Sequence, residues 1–252
     1  MEKKSDIEEG IIRAMKRNSD PMIGGDVIMA MIPSGVDYLI QTDKSGATHY
    51  NMGIFHLYRV KGDSIPDIHV AGPFLGAPHA VMGMEKLIAL GVKRIWVTGW
   101  CGSLDPELRI GDLVIPSSAV SEEGTSAHYP IDGDIRITSG MSDVLEQCIF
   151  KKGYPFKKGV LWTTDAPYRE TPEKIRYYQA KGVIAVEMEM SALMTVSLFR
   201  GVELGGVLVV SDELFDLKWK PGFSNAKLQQ GSRTACDLLM DLVQSSRDCS
   251  HF

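Results

Sequence analysis

Apolar positions along this chain fall into short unbroken runs separated by stretches with helical spacing, and the two rhythms alternate. The runs Val27 to Ile32, IHVAG (Ile68 to Gly72), RIWVTG (Arg94 to Gly99), GVLWTT (Gly159 to Thr164), GVIAVE (Gly182 to Glu187) and GGVLVVSD (Gly205 to Asp212) have the length and β-branched content of strands. Met52 to Val60 alternates loosely, as a further strand would, before Lys61, Gly62 and Asp63, and the first run stops at Pro33, Ser34 and Gly35. Helical spacing marks Val81 to Leu90, Pro172 to Ala180, Met188 to Phe199 and a closing segment on Leu228, Ala235, Leu238, Leu239 and Leu242. At the start, Ser5 with Glu8 reads as a capping box, and Ile7, Ile11, Ile12 and Met15 share one face, predicting a helical extension over residues 1–20. Apolar runs without polar alternation imply a sheet covered on both faces, and their alternation with helices implies many parallel pairs. The expectation is an α/β fold, a three-layer αβα sandwich around a central mixed sheet. Without an internal repeat or a Pro/Gly/Ser linker, residues 1–252 read as one domain.

Composition narrows the class. A length of 252 residues with 44% hydrophobic and 23% charged positions is ordinary for a globular protein. A net charge of −5, with no long basic run, gives no attraction for nucleic acid or anionic membranes. No apolar stretch reaches the roughly 18 residues that span a bilayer. Cys101, Cys148, Cys236 and Cys249 are scattered, with neither CxxC pairing nor histidines at metal spacing, so a cytoplasmic protein without a disulfide framework or metal is expected.

In open α/β sheets ligands bind beyond the carboxyl ends of strands. Three apolar runs stop at polar groups: Thr98, Gly99 and Trp100 in a GWCG turn; Glu187, Met188 and Glu189; and Ser211 with Asp212. In extended backbone Glu187 and Glu189 project to one side with Met188 opposite. Carboxylates accept hydroxyls and a thioether packs on an apolar face, which suits a sugar; the same acids equally suit a helix N-terminus answering its dipole. Asp212 reads either as a turn cap or as a carboxyl able to protonate a leaving group when buried. His79 and His128 are candidate acid/base groups without visible partners, and Trp96 reads as core.

These segments together resemble the purine nucleoside and uridine phosphorylase family, which also contains nucleosidases that cleave methylthioadenosine-type substrates. The likeness runs from about Val27 to Leu242 and is strongest in AVEMEMSAL, followed by GVKRIWVTGWCGSLDPELRIGDLVIP and VVSD. It implies an αβα fold, homo-oligomers (dimers, trimers or hexamers), no cofactor, inorganic phosphate as co-substrate, and cleavage through an oxocarbenium-like sugar. On that resemblance Glu189 binds the ribose hydroxyls, Met188 packs under the sugar and Glu187 supports the pair. Asp212 stands where purine-cleaving members carry the acid that protonates N7, with Ser211, Thr98, Gly99 and Trp100 around the substrate. EGTSAHYP (Glu123 to Pro130) is closer to uridine phosphorylases, and Tyr168 in TTDAPYRE matches an aromatic over the base.

The phosphate contacts depart from the family pattern. The expected arginine and hydroxyl positions are Val97 and Trp100, and PSGVDY (Pro33 to Tyr38) and the Asn51 region offer no arginine. An anion without positive partners is poorly held. The expected activity is phosphorolysis of a nucleoside, purine preferred, with uridine phosphorolysis, hydrolysis by water, and non-catalytic nucleoside binding as the alternatives.

Overall fold

The computed structural model describes residues 10–43, 45–61, 67–137 and 140–248. The strands are β1 (Gly25–Ala30), β2 (Thr48–Asn51), β3 (His56–Val60), β4 (Ile68–Gly72), β5 (Val92–Ser103), β6 (Leu113–Ser121), β7 (Phe156–Thr163), β8 (Val183–Glu187), β9 (Glu203–Glu213) and β10 (Lys220–Pro221). The helices are α1 (Pro33–Gln41), α2 (Ala77–Ala89), α3 (Met141–Lys151), α4 (Pro172–Ala180), α5 (Met190–Arg200) and α6 (Ala226–Asp248).

All ten strands form one mixed sheet in the order β10-β9-β6-β7-β8-β5-β1-β4-β3-β2, and β5 also pairs with β9. That extra pairing closes β5, β9, β6, β7 and β8 into a ring at one end of the sheet. Helices α2 and α5 pack together on one side, and α1, α3 and α6 on the other. The αβα sandwich expected from the sequence is therefore present. β4 and β8 are buried at every position and β1 at every position after Gly25, as a sheet covered on both faces requires. Trp96 lies in the core, 1% exposed, its indole N–H 3.1 Å from Asp26 Oδ1.

Four local expectations are corrected. The GWCG segment is not a turn: β5 continues through it to Ser103, paired with β9, with one register shift between Cys101 and Gly102. Glycine there serves close packing, because a Cβ at Gly99 would stand 3.1 Å from Met31 and one at Gly102 2.5 Å from Leu214. Pro33 opens α1 instead of beginning a loop, occupying the first helical turn where its missing N–H costs nothing. Of the strand expected over Met52 to Val60 only His56–Val60 is extended, as β3, and it pairs in a hairpin with β2, which precedes the expected run.

The fourth correction concerns the N-terminal helix, of which Ser5, Ile7 and Glu8 lie outside the described residues. Residues 10–20 are not helical, and Ile11 and Ile12 are fully exposed. So short a helix is marginal in water unless its apolar face is buried, and among the described residues nothing covers Ile11 or Ile12. The segment is instead tied to α2, where Lys86 Nζ donates to the Met15 carbonyl and pairs with Asp20 at 2.6 Å.

Candidate active site

Strand β8 ends at Glu187 and α5 begins at Met190, so the junction is only Met188 and Glu189. A helix start leaves orphan amides, and here the capping position, Glu189, makes no capping bond. Glu187 reaches forward instead: its Oε2 accepts from the amides of Glu189 (2.7 Å) and Met190 (2.6 Å). Thr163, at the end of neighbouring β7, donates its hydroxyl to Glu187 Oε1 and accepts from the Ser191 amide at 2.9 Å. Because Glu187 and Thr163 satisfy the first turn of α5, Glu189 is released from its own helix. Its Oε1 accepts instead from the amide of Gly76 at 2.7 Å. Gly76 has φ +78°, the left-handed region that glycine adopts without strain, and precedes α2.

Glu187 and Glu189 are both buried and Met188 between them is half-buried. The two-residue strand period expected to align the carboxyls stops at Glu187, since Glu189 has φ −136° and ψ −33°. What keeps them together is the shared helix start. Burial pushes both carboxyls above their ordinary range, Glu189 further through the charge of Glu187, and Glu187 through that of Glu123.

Strand β9 carries Ser211 and Asp212 beside this junction. Ser211 Oγ lies 2.6 Å from Asp212 Oδ1 and 3.3 Å from the Cys101 carbonyl, so its single proton serves one at a time. The short β9–β10 hairpin brings Trp219 back, and its indole N–H donates to Asp212 Oδ2 at 2.9 Å. Cys101 is buried, and burial together with the charges of Asp212 and Glu187 pushes its thiol well up. These charges tie the β5, β8 and β9 groups into one electrostatic neighbourhood.

Two groups in this neighbourhood escaped sequence reasoning. Trp219 shares the β9–β10 connection with Leu214, Phe215 and Leu217, so nothing in the pattern singles it out, and only the β9–β10 pairing reveals its direction. Glu170, within the TTDAPYRE segment, is half-buried and pushed up to about 7 by burial and by the charge of Asp212. Proximity to a strand distant in sequence was the missing signal.

Other predicted residues lie apart. Trp100 donates its indole N–H to Ser232 Oγ of α6 at 3.0 Å and packs on Phe223, ring centroids 5.9 Å apart. With Thr98 and Gly99 it lines a void of about 10 Å³ against α1 and α6, room for one water at most. Val97 is wholly buried. Tyr168 is fully exposed on a 3-10 turn, Pro167–Arg169, and makes no ring contact among the described residues. His79 uses both ring nitrogens, accepting from the Leu75 amide (3.2 Å) and facing the Ile54 carbonyl (2.7 Å), so it braces the β2–β3 hairpin on the Gly76 loop and is not free as a base. His128 is exposed. A cavity of about 1250 Å³ under residues 10–20, beside α2 and the hairpin, is lined by His128 but by none of the residues at the ends of β5, β8 and β9. Among the described residues no group of three or more His, Cys, Asp or Glu is arranged to hold a metal, and Cys101, Cys148 and Cys236 are free thiols. Cys249 lies outside the described residues.

The fold and this junction define a class before any particular relative is considered: a mixed sheet, partly closed into a ring, with acidic groups where β8 and β9 end. The solved structure of Toxoplasma gondii purine nucleoside phosphorylase in complex with immucillin-H shares that fold, with a TM-score of 0.80 over 90% of this chain and 93% of that one, at 24% identity. Residues 27–244 match the Phosphorylase superfamily, and the chain belongs to it. Among curated relatives, the DeoD-type purine nucleoside phosphorylase of Caldanaerobacter subterraneus subsp. tengcongensis is 34% identical over 151 residues, 58% of this chain and 65% of the relative. Purine nucleoside phosphorylase of Plasmodium falciparum is 32% identical over 153 residues, 59% of this chain and 61% of the relative. The alignments thus span a little under two thirds of the length of these two relatives. A DeoD-type enzyme of Bacillus cereus is 27% identical over 202 residues, covering 77% and 83%.

Proposed function

We propose that this chain is a pentosyltransferase that cleaves the N-glycosidic bond of a purine nucleoside with inorganic phosphate, giving free base and ribose 1-phosphate, without a metal or organic cofactor. The observation that carries this reading is the junction at Glu189: Glu187 and Thr163 cap α5, and Glu189 is thereby left to accept from a ligand. An ionised Glu189 accepts from the ribose 2′ and 3′ hydroxyls, charge-assisted bonds worth about 1.5–3 kcal/mol each. Met188 packs under the sugar, and the negative groups favour the oxocarbenium charge that develops at C1′ as the bond breaks. Asp212, positioned by Ser211 and Trp219, carries the proton delivered to N7 of the departing purine. The purine nucleoside phosphorylases among the relatives support a purine over uridine.

Water as the nucleophile is the second reading, and one observation favours it. Trp100 fills the space where an anion contact is expected and Val97 is buried, so neither offers phosphate a donor. Identifying the sugar product separates the two: ribose 1-phosphate formed only with phosphate supports phosphorolysis, and free ribose formed regardless of phosphate overturns it in favour of hydrolysis.

Free thiols at all three described cysteines fit a cytoplasmic protein, and no helix among the described residues is long and apolar enough to cross a membrane. A homo-oligomer is supported by the exposed Ile11, Ile12, Met15, Ile54 and Met82 around the cavity under residues 10–20, an apolar surface that association would cover.

A further inference from the structure

The segment Glu123 to Pro130 stands out in the sequence, and nothing in the reaction above uses it. Its first residue, Glu123, is buried at 6% exposure just beyond the end of β6. Its carboxylate is surrounded by donors. Ser121 Oγ lies 2.7 Å from Oε1, Ser191 Oγ 2.9 Å from Oε1 and the Ser126 amide 3.1 Å from Oε2, while the Ser126 hydroxyl and the Thr125 amide also donate. Burial alone would push this carboxyl up, but the hydrogen bonds outweigh it and hold it below its ordinary value. Glu123 is therefore a fixed negative charge in the interior.

That charge is wired to the junction of β8 and α5. Ser191 donates its hydroxyl to Glu123 and its amide to Thr163 Oγ1, and Thr163 donates to Glu187, whose other oxygen holds the amides of Glu189 and Met190. Thr195, one turn along α5, donates to the Ser191 carbonyl at 2.8 Å and lies 3.2 Å from Ser126 Oγ, bracing the same corner. Two buried carboxyls, Glu123 and Glu187, thus share one network that ends on the backbone amide of Glu189, and among the described residues no lysine or arginine pairs with any of these three glutamates. Cys101 on β5 faces Glu187, and Asp212 on β9 faces Cys101 in turn.

We propose that Glu123 is a positioning residue: through Ser191 and Thr163 it fixes the geometry of the Glu187–Glu189 pair, and it sets a fixed negative charge beside that pair. The proposal rests on the reading of Glu189 as the ribose acceptor. Taking away a neighbouring negative charge makes a carboxyl pair easier to ionise, whereas taking away a hydroxyl from the relay disturbs geometry and leaves the charge in place.

The test is the pH profile of kcat/KM for base release from inosine, with ligand-free thermal unfolding measured across the same pH range. In the native protein, activity rises with pH as the pair ionises. Glu123→Gln should move that rising limb to lower pH by about half a unit or more, while Ser191→Ala should raise KM about tenfold and leave the limb in place. Glu123→Asp keeps the charge and should keep the limb. A Glu123→Gln profile superimposed on that of the native protein overturns the proposal, as does a limb equally displaced in Ser191→Ala or Glu123→Asp. Unfolding needs no substrate and gives an independent readout. The native Tm should fall as pH rises through neutrality, and the fall should shrink in Glu123→Gln; an unchanged fall overturns the charge role. An inactive native protein whose Tm behaves as expected would refute the proposed function and leave the charge role of Glu123 standing.

Discussion

Replacing Glu187 separates the cap it forms from the chemistry beside it. Glu187→Ala strands the amides of Glu189 and Met190 and the hydroxyl of Thr163, all of which bond to this one carboxyl. Each buried polar group left without a partner costs about 1–3 kcal/mol. The total is moderated because the native carboxyl is itself held against burial, which pushes its pKa up. A net loss of about 3 kcal/mol follows, and for a chain of this length about 2–4 °C accompanies each kcal/mol, so Tm should fall by roughly 10 °C. Glu187→Gln retains an oxygen for the amides but can no longer accept from Thr163 with the same atom arrangement, and should cost about 1 kcal/mol. Thermal unfolding at pH 7, followed by fluorescence or calorimetry without nucleoside, measures both. A fall of under 3 °C for the alanine variant, or equal falls for both variants, would refute the claim that Glu187 caps α5.

Other outcomes follow from the same geometry. Asp212→Asn should lower kcat for purine release about 100-fold or more with little change in nucleoside affinity, measured by steady-state kinetics and calorimetry; equal loss in both would contradict the proton-donor role. Glu187, Glu189 and Glu170 all have folded-state pKa values above their unfolded ones. Their favourable contribution is complete below the ordinary glutamate range near pH 4.5 and is lost as pH rises through the folded values, so the ligand-free protein should lose Tm between about pH 5 and 8. Glu170→Gln should remove the part of that loss centred near pH 7, and a Tm that rises across this window would contradict all three assignments. Trp219→Phe, which deletes the indole donor to Asp212, should change turnover several-fold while leaving Tm within about 1 °C, since Trp219 is exposed.

The sandwich was legible because its signal is periodic. Runs such as Val183 to Glu187 and Glu203 to Glu213 are buried on both faces, and α4 begins and ends where proline and the apolar spacing put it. The chain's pattern did not reveal α1, β6 or α3 as separate elements. α1 starts with Pro-Ser-Gly, residues that equally mark a turn, and only packing against α6 makes the segment a helix. The GWCG glycines mimic a turn for the same reason, although β9 holds them in a strand. Within the site, Glu187, Glu189 and Asp212 were readable because they stand where apolar runs stop. Glu123 and Glu170 were not, since each reaches the site through a contact with a strand or helix remote in sequence, and Trp219 was not, because only the hairpin turn folds it back onto Asp212. Tyr168 shows the converse: a motif match carries no information about exposure.

Release of free purine from inosine in phosphate buffer, followed in the native protein and in Glu189→Ala under identical conditions, tests the central claim most directly. The native protein should release hypoxanthine. Losing two charge-assisted hydroxyl contacts should reduce kcat/KM in the variant by about 100-fold or more. Intact inosine with the native protein, or equal rates for the two proteins, would contradict the assignment of this junction as the site where the ribose is held and the bond to the base is broken.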